Sequence, residues 1–149
     1  ASISGSNFSS WYRQDEGTVY VEAVRPPAIS GRYPSIVNIN NGTNSNRIQI
    51  YCLDYALRYT HEILVGGVSQ VPFNQSQTVT ANIFNKLAAT LKLNDTAFVV
   101  DSTVVNTDGS VTLPTVNQLD LSGVDTRTIR RLTYWPTRLA NNVLQEITR

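Results

Sequence analysis

Residues 85–93 read NKLAATLKL, and the fold turns on whether this stretch is a helix or a strand. Its composition is that of a helix, since Ala, Leu and Lys all favour one. Its periodicity is not. Leu87, Ala89, Leu91 and Leu93 alternate strictly with Lys86, Ala88, Thr90 and Lys92, which is the two-residue period of a half-buried strand. The dipeptide Asn94-Asp95 then makes a tight turn into the β-rich run TAFVV. The alternation decides for strand, and with it for an all-β chain.

The same period extends outward in both directions. In GTVYVEAV (17–24), Val19, Val21 and Ala23 share a face against Thr18, Tyr20 and Glu22. In RIQIYC (47–52), Ile48, Ile50 and Cys52 alternate with Arg47, Gln49 and Tyr51. In LRYTHEILV (57–65), Leu57, Tyr59, His61, Ile63 and Val65 alternate with Arg58, Thr60 and Glu62. Turn-forming segments separate these runs: RPPAISG, NNGTNSN, LDYA, VGGVSQVP, Asn94-Asp95, Asp101-Ser102, TDGS and LSG. Roughly nine or ten short strands result, with brief connections, no repeat and no shift in composition. The expectation is one β-sandwich domain spanning 1–149.

The C-terminal stretch TIRRLTYWPTRLANNVLQEITR (128–149) departs from the pattern. Leu132 and Tyr134 share a face, but Ile129 is out of phase with them, so a β-bulge is expected near Arg130 or Arg131. Pro136 ends the strand because it has no N–H for the ladder. NNVLQEIT then reads as a short helix capped by Asn141 or Asn142, with Asn142 and Gln145 at capping-box spacing. Val143, Leu144 and Ile147 are expected to face back onto the sandwich.

Composition excludes several function classes. The chain has 149 residues, 12 basic and 11 acidic, for a formal net charge of +1. A duplex-binding domain carries a marked basic excess on one face, so nucleic acid is not an expected partner. The single cysteine, Cys52, permits neither an internal disulfide nor a thiolate metal site, and the single His61, in phase with apolar residues, reads as a packed strand histidine. No apolar run approaches the roughly 18 residues of a membrane span, and no signal peptide opens the chain. No membrane insertion is expected. The chain lacks methionine entirely, its first residue included, and is read as a fragment or a processed piece of something longer.

Read outward from IRRLTYWPTRLANNVLQEIT, the chain resembles the concanavalin-A-like, laminin-G-like jelly-roll modules in the C-terminal parts of bacteriophage tail fibres and tailspikes. FSSWYRQDEGTVYVEA (8–23) is similar to the module's opening strand, and NGTNSNRIQIY (41–51) to its second hairpin. VGGVSQ (65–70) is similar to its middle turn, and NKLAATLKLND (85–95) to its rear strand and turn. Where such modules carry a Ser before the last helix and an Asn-Gly hairpin, this chain has Ala140 and Asp101-Ser102. The resemblance implies a jelly-roll β-sandwich with a short C-terminal helix. It also implies a place in the virion, at the phage tail, and a homotrimer.

Catalysis has to be tested at the level of a site, because many enzymes share this sandwich. Glycosidases need two carboxylates about 5 Å apart, or roughly 6.5–9.5 Å apart when they invert. The nearest candidates are Asp15, Glu16 and Glu22; the first two precede Gly17 in a turn and the third stands alone on a strand. No catalytic residues are assigned. The loop acids Asp108 and Asp120 are the only ones with neighbours apt for calcium, and no metal or cofactor is expected.

Carbohydrate binding asks for less: an aromatic face for the C–H surface of a sugar and planar polar groups for its hydroxyls. Tyr33, Tyr55, Arg58, Tyr59 and Trp135 are the candidate contacts, while Trp11 and Tyr12 read as core anchors and Arg130 and Arg131 as partners of acids or of a neighbouring subunit. The expected function is a non-catalytic, lectin-like module that binds bacterial surface polysaccharide or trimerises and caps the fibre for host attachment. A purely structural trimerisation domain and a glycan-cleaving enzyme are the alternatives.

Overall fold

The computed structural model describes residues 1–25, 27, 33–53, 56–71, 76–121 and 128–149. Their order is β1 (Ser2–Ser4), α1 (Ser6–Ser9), β2 (Glu16–Val24), β3 (Ser35–Asn40), β4 (Arg47–Cys52), β5 (Tyr59–Val65), β6 (Val68–Ser69), β7 (Phe84–Lys92), β8 (Thr96–Val100), β9 (Asn106–Asp108), β10 (Gln118–Asp120), β11 (Ile129–Trp135) and α2 (Asn141–Ile147). Two antiparallel sheets form, a six-stranded one in the order β1-β10-β3-β4-β5-β6 and a five-stranded one in the order β11-β2-β7-β8-β9. This is a jelly-roll β-sandwich with one short C-terminal helix.

Alternation builds both sheets as expected. Residues 85–92 form the centre of the second sheet, where β7 pairs with β2 from Glu16↔Lys92 to Val24↔Phe84, while Leu93, expected in the inward phase, lies past the end of the strand and is exposed. Leu87, Ala89 and Leu91 face Val19, Val21 and Ala23 in the same layer, and Ile39, Ile48, Ile50, Tyr59 and Ile63 close over them from the other sheet. The Asn94 turn into β8 has φ 54°, a left-handed conformation that asparagine tolerates better than most residues. Asp101 and Ser102 also take positive φ, 49° and 55°, so Asp-Ser makes the hairpin turn that Asn-Gly would make elsewhere.

At the C-terminus the phase slip is a register shift between Ile129 and Arg131, and the strand stops at Trp135, before Pro136. Leu132 and Tyr134 pack on the main core, while Trp135 packs on a second cluster of Tyr20, Ala88, Ala97, Val99 and Leu144. That cluster lies on the outer face of the five-stranded sheet, and α2 covers it.

Three local expectations are corrected. The helix cap is Ala140, in extended conformation with no side-chain cap; Asn142 lies inside the helix, and the Gln145 amide donates to Thr103 O at 3.2 Å rather than closing a capping box. Leu144 is fully buried and Ile147 packs beneath the helix, but Val143 faces solvent. The opening segment is not strand from Phe8: residues 6–9 form a helical turn that plugs the end of the sandwich. Phe8 stacks on Tyr12 at 4.6 Å and Tyr12 on Tyr134 at 5.4 Å, with the half-buried Trp11 edge-on to Tyr134.

His61 is fully buried, 5.7 Å from the Phe98 ring. Glu22 pairs with Arg130, as expected of an arginine in that segment.

Candidate functional site

The inward phase of β3, β4 and β5 is apolar, so the outward phase carries their polar side chains. Val37, Ile39, Ile48, Ile50, Cys52, Tyr59, His61 and Ile63 point into the sandwich. Asn38, Asn40, Arg47, Gln49, Tyr51, Thr60 and Glu62 occupy the other phase. Register then brings these residues abreast: Asp120↔Asn38↔Gln49↔Glu62 forms one row across four strands, and Gln118↔Asn40↔Arg47 a second beside it. Neighbouring strands stand about 4.8 Å apart, so the rows make a continuous surface of amide, carboxylate and guanidinium groups.

Part of this surface is concave. Tyr33, Arg47, Gln49, Tyr51 and Glu62 line a groove of about 400 Å³. Tyr33 and Tyr51 form its aromatic wall, their rings 6.1 Å apart and inclined at 76°, which makes a corner rather than a stack. Tyr33 is 55% exposed. Burial, reinforced by the nearby Glu62 carboxylate, pushes the Tyr51 phenol up, so it keeps its O–H at neutral pH.

The charged wall is an ion pair. Arg47 Nε and Nη2 donate to Glu62 Oε2 at 3.1 and 2.9 Å, and both side chains are about one-fifth exposed. Arg47 Nη1 points toward Asn44 Oδ1 at 3.5 Å, in the turn between β3 and β4. Glu62 is the single carboxylate lining the groove among the described residues. Farther along the sheet, Asp120 accepts hydrogen bonds from Asn40 at 2.7 Å and Gln118 at 3.0 Å. Its burial favours the neutral acid, but these bonds, together with one from Ser2 and the charge of the N-terminus, outweigh burial and hold its carboxyl below the usual range.

The candidate contacts read from sequence do not all converge here. Tyr33 lines the groove. Tyr55 lies outside the described residues. Arg58 is half-buried in the approach to β5, its backbone bonded to Ala56 and Leu53, and it does not line the groove. Tyr59 is corrected: it is fully buried, with its hydroxyl 3.1 Å from Asn85 Oδ1 and 3.3 Å from Ala23 O, and is a core tyrosine tying the two sheets together. Trp135 sits on the other sheet, 6.5 Å edge-on to Tyr20.

Arg47, Gln49, Tyr51 and Glu62 were not singled out from sequence. Their signal was present as the outward phase of RIQIYC and of LRYTHEILV.

Asp15, Glu16 and Glu22 do not meet as a catalytic pair. Asp15 bonds Arg13, Glu16 accepts the Arg138 backbone N–H at 2.9 Å, and Glu22 is held by Tyr20 and Arg130. Glu22 stands six residues beyond Glu16 on one strand, about 20 Å at the usual strand rise. Asp108 bonds its own turn, at Ser110 N, and no group of three metal-ligating side chains occurs among the described residues.

No family model and no curated protein matches the sequence significantly. Solved structures do match. The carbohydrate-binding module CBM40 of a Ruminococcus gnavus IT-sialidase, bound to α2,3-sialyllactose, aligns over 91% of this chain and 84% of that one, with a TM-score of 0.70 and 13% identity. The NanB sialidase of Streptococcus pneumoniae aligns over the whole of this chain and 27% of its own, with a TM-score of 0.71 and 12% identity. The Trypanosoma rangeli sialidase aligns over 89% of this chain and 22% of its own, with a TM-score of 0.65 and 12% identity. The chain thus spans about a quarter of those two enzymes. At such identities the likeness establishes the fold: this chain is a jelly roll of the kind found in a carbohydrate-binding module.

Proposed function

We propose that the chain is a non-catalytic, lectin-like module that binds glycan in the groove of Tyr33, Arg47, Gln49, Tyr51 and Glu62. The observation that carries this reading is the composition of the groove. An aromatic corner offers a flat apolar surface to a sugar's C–H face, and Gln49, Glu62 and Arg47 supply planar donors and acceptors for its hydroxyls. Sites of this kind are concave and few, with a handful of placed polar groups. Hydrolysis has no apparatus in this groove, since Glu62 stands without a second carboxylate among the described lining residues and is tied to Arg47.

The resemblance of the C-terminal stretch to phage tail modules supports the finer reading. The glycan is then bacterial surface polysaccharide, and the module sits on a homotrimeric tail fibre or tailspike of the virion. Tyr55 is a candidate contact on the same reading.

The test is titration of the intact chain with host-type surface polysaccharide and its oligosaccharides. Binding that weakens when Tyr51 or Gln49 is replaced by Ala, with the unfolding midpoint unchanged, supports the lectin. Undiminished binding in both variants would move the site elsewhere.

A structural clamp is the second reading, favoured by the exposed apolar side chains of Ile83, Phe84 and Val104. It predicts a trimer in sedimentation and no glycan binding. New reducing ends or unsaturated sugars after long incubation with capsule would instead reveal an enzyme.

A further inference from the structure

We infer that the Arg47–Glu62 pair makes the groove selective for uncharged sugar residues and against carboxylate-bearing ones. The inference rests on the glycan-binding reading above and names the class of glycan.

The argument begins with which donors and acceptors are still available. Arg47 spends two N–H groups on one carboxylate oxygen, Glu62 Oε2. A guanidinium has five N–H donors, and a third is given to Asn44 Oδ1 from Nη1, so two remain, while Glu62 keeps its second oxygen, Oε1. The pair therefore presents a donor edge and an acceptor atom side by side. A neutral vicinal diol fits that arrangement, because one hydroxyl accepts from Arg47 while the next donates to Glu62. Gln49 lies directly across from Glu62 in the ladder and extends the row with an amide that both donates and accepts.

A carboxylate-bearing sugar meets the opposite situation. The positive charge it needs is already neutralised at close range, so the pair supplies no net charge to offset desolvation of the ligand's own carboxylate. On the Nη1 side of Arg47 a ligand competes with Asn44 Oδ1, and to grip the Nε–Nη2 edge bidentately it must displace Glu62. That would strand a largely buried carboxylate without its partner and set two like charges side by side. Tyr51 adds a neutral hydroxyl rather than a charge. Specificity thus arises from a repulsive element, Glu62, as much as from the attractive ones.

Replacement by the isostere should reverse the preference. Glu62→Gln keeps the shape and one acceptor, removes the negative charge, and leaves Arg47 free to meet an anionic ligand. The experiment uses the intact chain, wild type and Glu62→Gln, against uncharged hexose and N-acetylhexosamine oligosaccharides and their uronic-acid and sialic-acid counterparts. Arrays locate the binders and calorimetry ranks them.

The wild type should bind from the uncharged set. Glu62→Gln should lose about tenfold on those sugars, the size of one charge-assisted hydrogen bond, and gain binding to the carboxylate-bearing set. Wild-type preference for the carboxylate-bearing set overturns the inference and leaves glycan binding standing. An unchanged preference in Glu62→Gln overturns the role of the pair. Absence of wild-type binding to either set brings down the glycan reading itself. Thermal unfolding confirms that the variant is folded, and if it is not, the wild-type comparison of the two sets still decides.

Discussion

Gly17 lies directly against the phenol of Tyr134: a Cβ added at Gly17 would stand 2.5 Å from the Tyr134 hydroxyl and 2.7 Å from its ring. The tyrosine cannot move aside cheaply. Its hydroxyl accepts from Arg13 N at 3.1 Å and donates to Glu16 O at 3.2 Å, and its ring is wedged between Tyr12 and Trp11. The contact clamps the N-terminal aromatic plug to the last strand across a register that pairs Tyr134 with Val19.

Gly17→Ala should therefore destabilise the fold by about 1–3 kcal/mol, the usual range for overpacking. Urea unfolding gives the value. The double variant Gly17→Ala/Tyr134→Ala should cost less than the sum of its singles, because the clash vanishes with the ring. Strict additivity would show that the strain lies elsewhere.

His61 predicts an acid-sensitive stability above the range where carboxylates titrate. Burial lowers its pKa from about 6.5 to about 4. The space beside it is lined by Val19, Val37, Ile39, Ile48, Gln49, Ile50, Ala89 and Leu91, none of them charged. The unfolded chain then binds a proton that the folded chain refuses. Stability is complete above pH 6.5, falls as the pH drops toward 4, and changes no further from this group below that. A shift of this size corresponds to about 3 kcal/mol. His61→Leu should flatten the curve between pH 6.5 and 4.5, measured as unfolding free energy against pH. A slope that persists in the variant assigns the effect to another group.

Much of the fold was legible in sequence because a strand writes its two faces alternately. NKLAATLKL was a strand against its own helix propensity, since the Leu87–Ala89–Leu91 phase had a core to face. The bulge was legible from Ile129 falling out of step with Leu132. The site was less legible, for two physical reasons. Tyr59 shares the inward phase of His61 and Ile63, yet its place next to a turn suggested exposure; the phase prevailed. Tyr20 and Thr18 point outward just as Gln49 and Tyr51 do, but α2 folds over the first pair, whereas the half-buried Tyr51 and the buried Gln49 line the groove. Which outward face stays open is decided by a helix about 120 residues away in sequence, and alternation carries no information about it. The helix cap failed for a related reason: Gln145 bonds a carbonyl 42 residues distant instead of its own helix start.

The ion pair of Arg130 with Glu22 should prove asymmetric. Glu22 is nearly buried, accepting from the Tyr20 hydroxyl at 2.6 Å and from Arg130 Nε at 2.7 Å, and these bonds hold its carboxyl below the usual range. Arg130 is half-exposed and lies over the Phe84 ring at 4.3 Å. Arg130→Ala should cost no more than about 1 kcal/mol, as exposed pairs do. Glu22→Ala should cost about 1–3 kcal/mol, because it leaves the Tyr20 hydroxyl buried without its acceptor. Equal costs in thermal or urea unfolding would contradict the asymmetry.

The terminal helix separates a structural clasp from a displayed tail. Leu144 is fully buried against Tyr20, Ala88, Ala97 and Val99, while Leu132, on the closing strand, is half-buried. Thr148 ties the end of the helix down, its hydroxyl donating to Leu144 O at 2.8 Å and accepting from Ser102 N at 3.1 Å. Leu144→Ala should cost about 2–5 kcal/mol, the range for an emptied core leucine. Leu132→Ala should cost less, since water already reaches its side chain and part of the transfer term is absent. A near-zero effect at Leu144 would mean that α2 rests on the sheet without sealing it. The second core would then open to solvent, and the face of Thr18, Tyr20 and Glu22 would become as accessible as the groove on the opposite sheet.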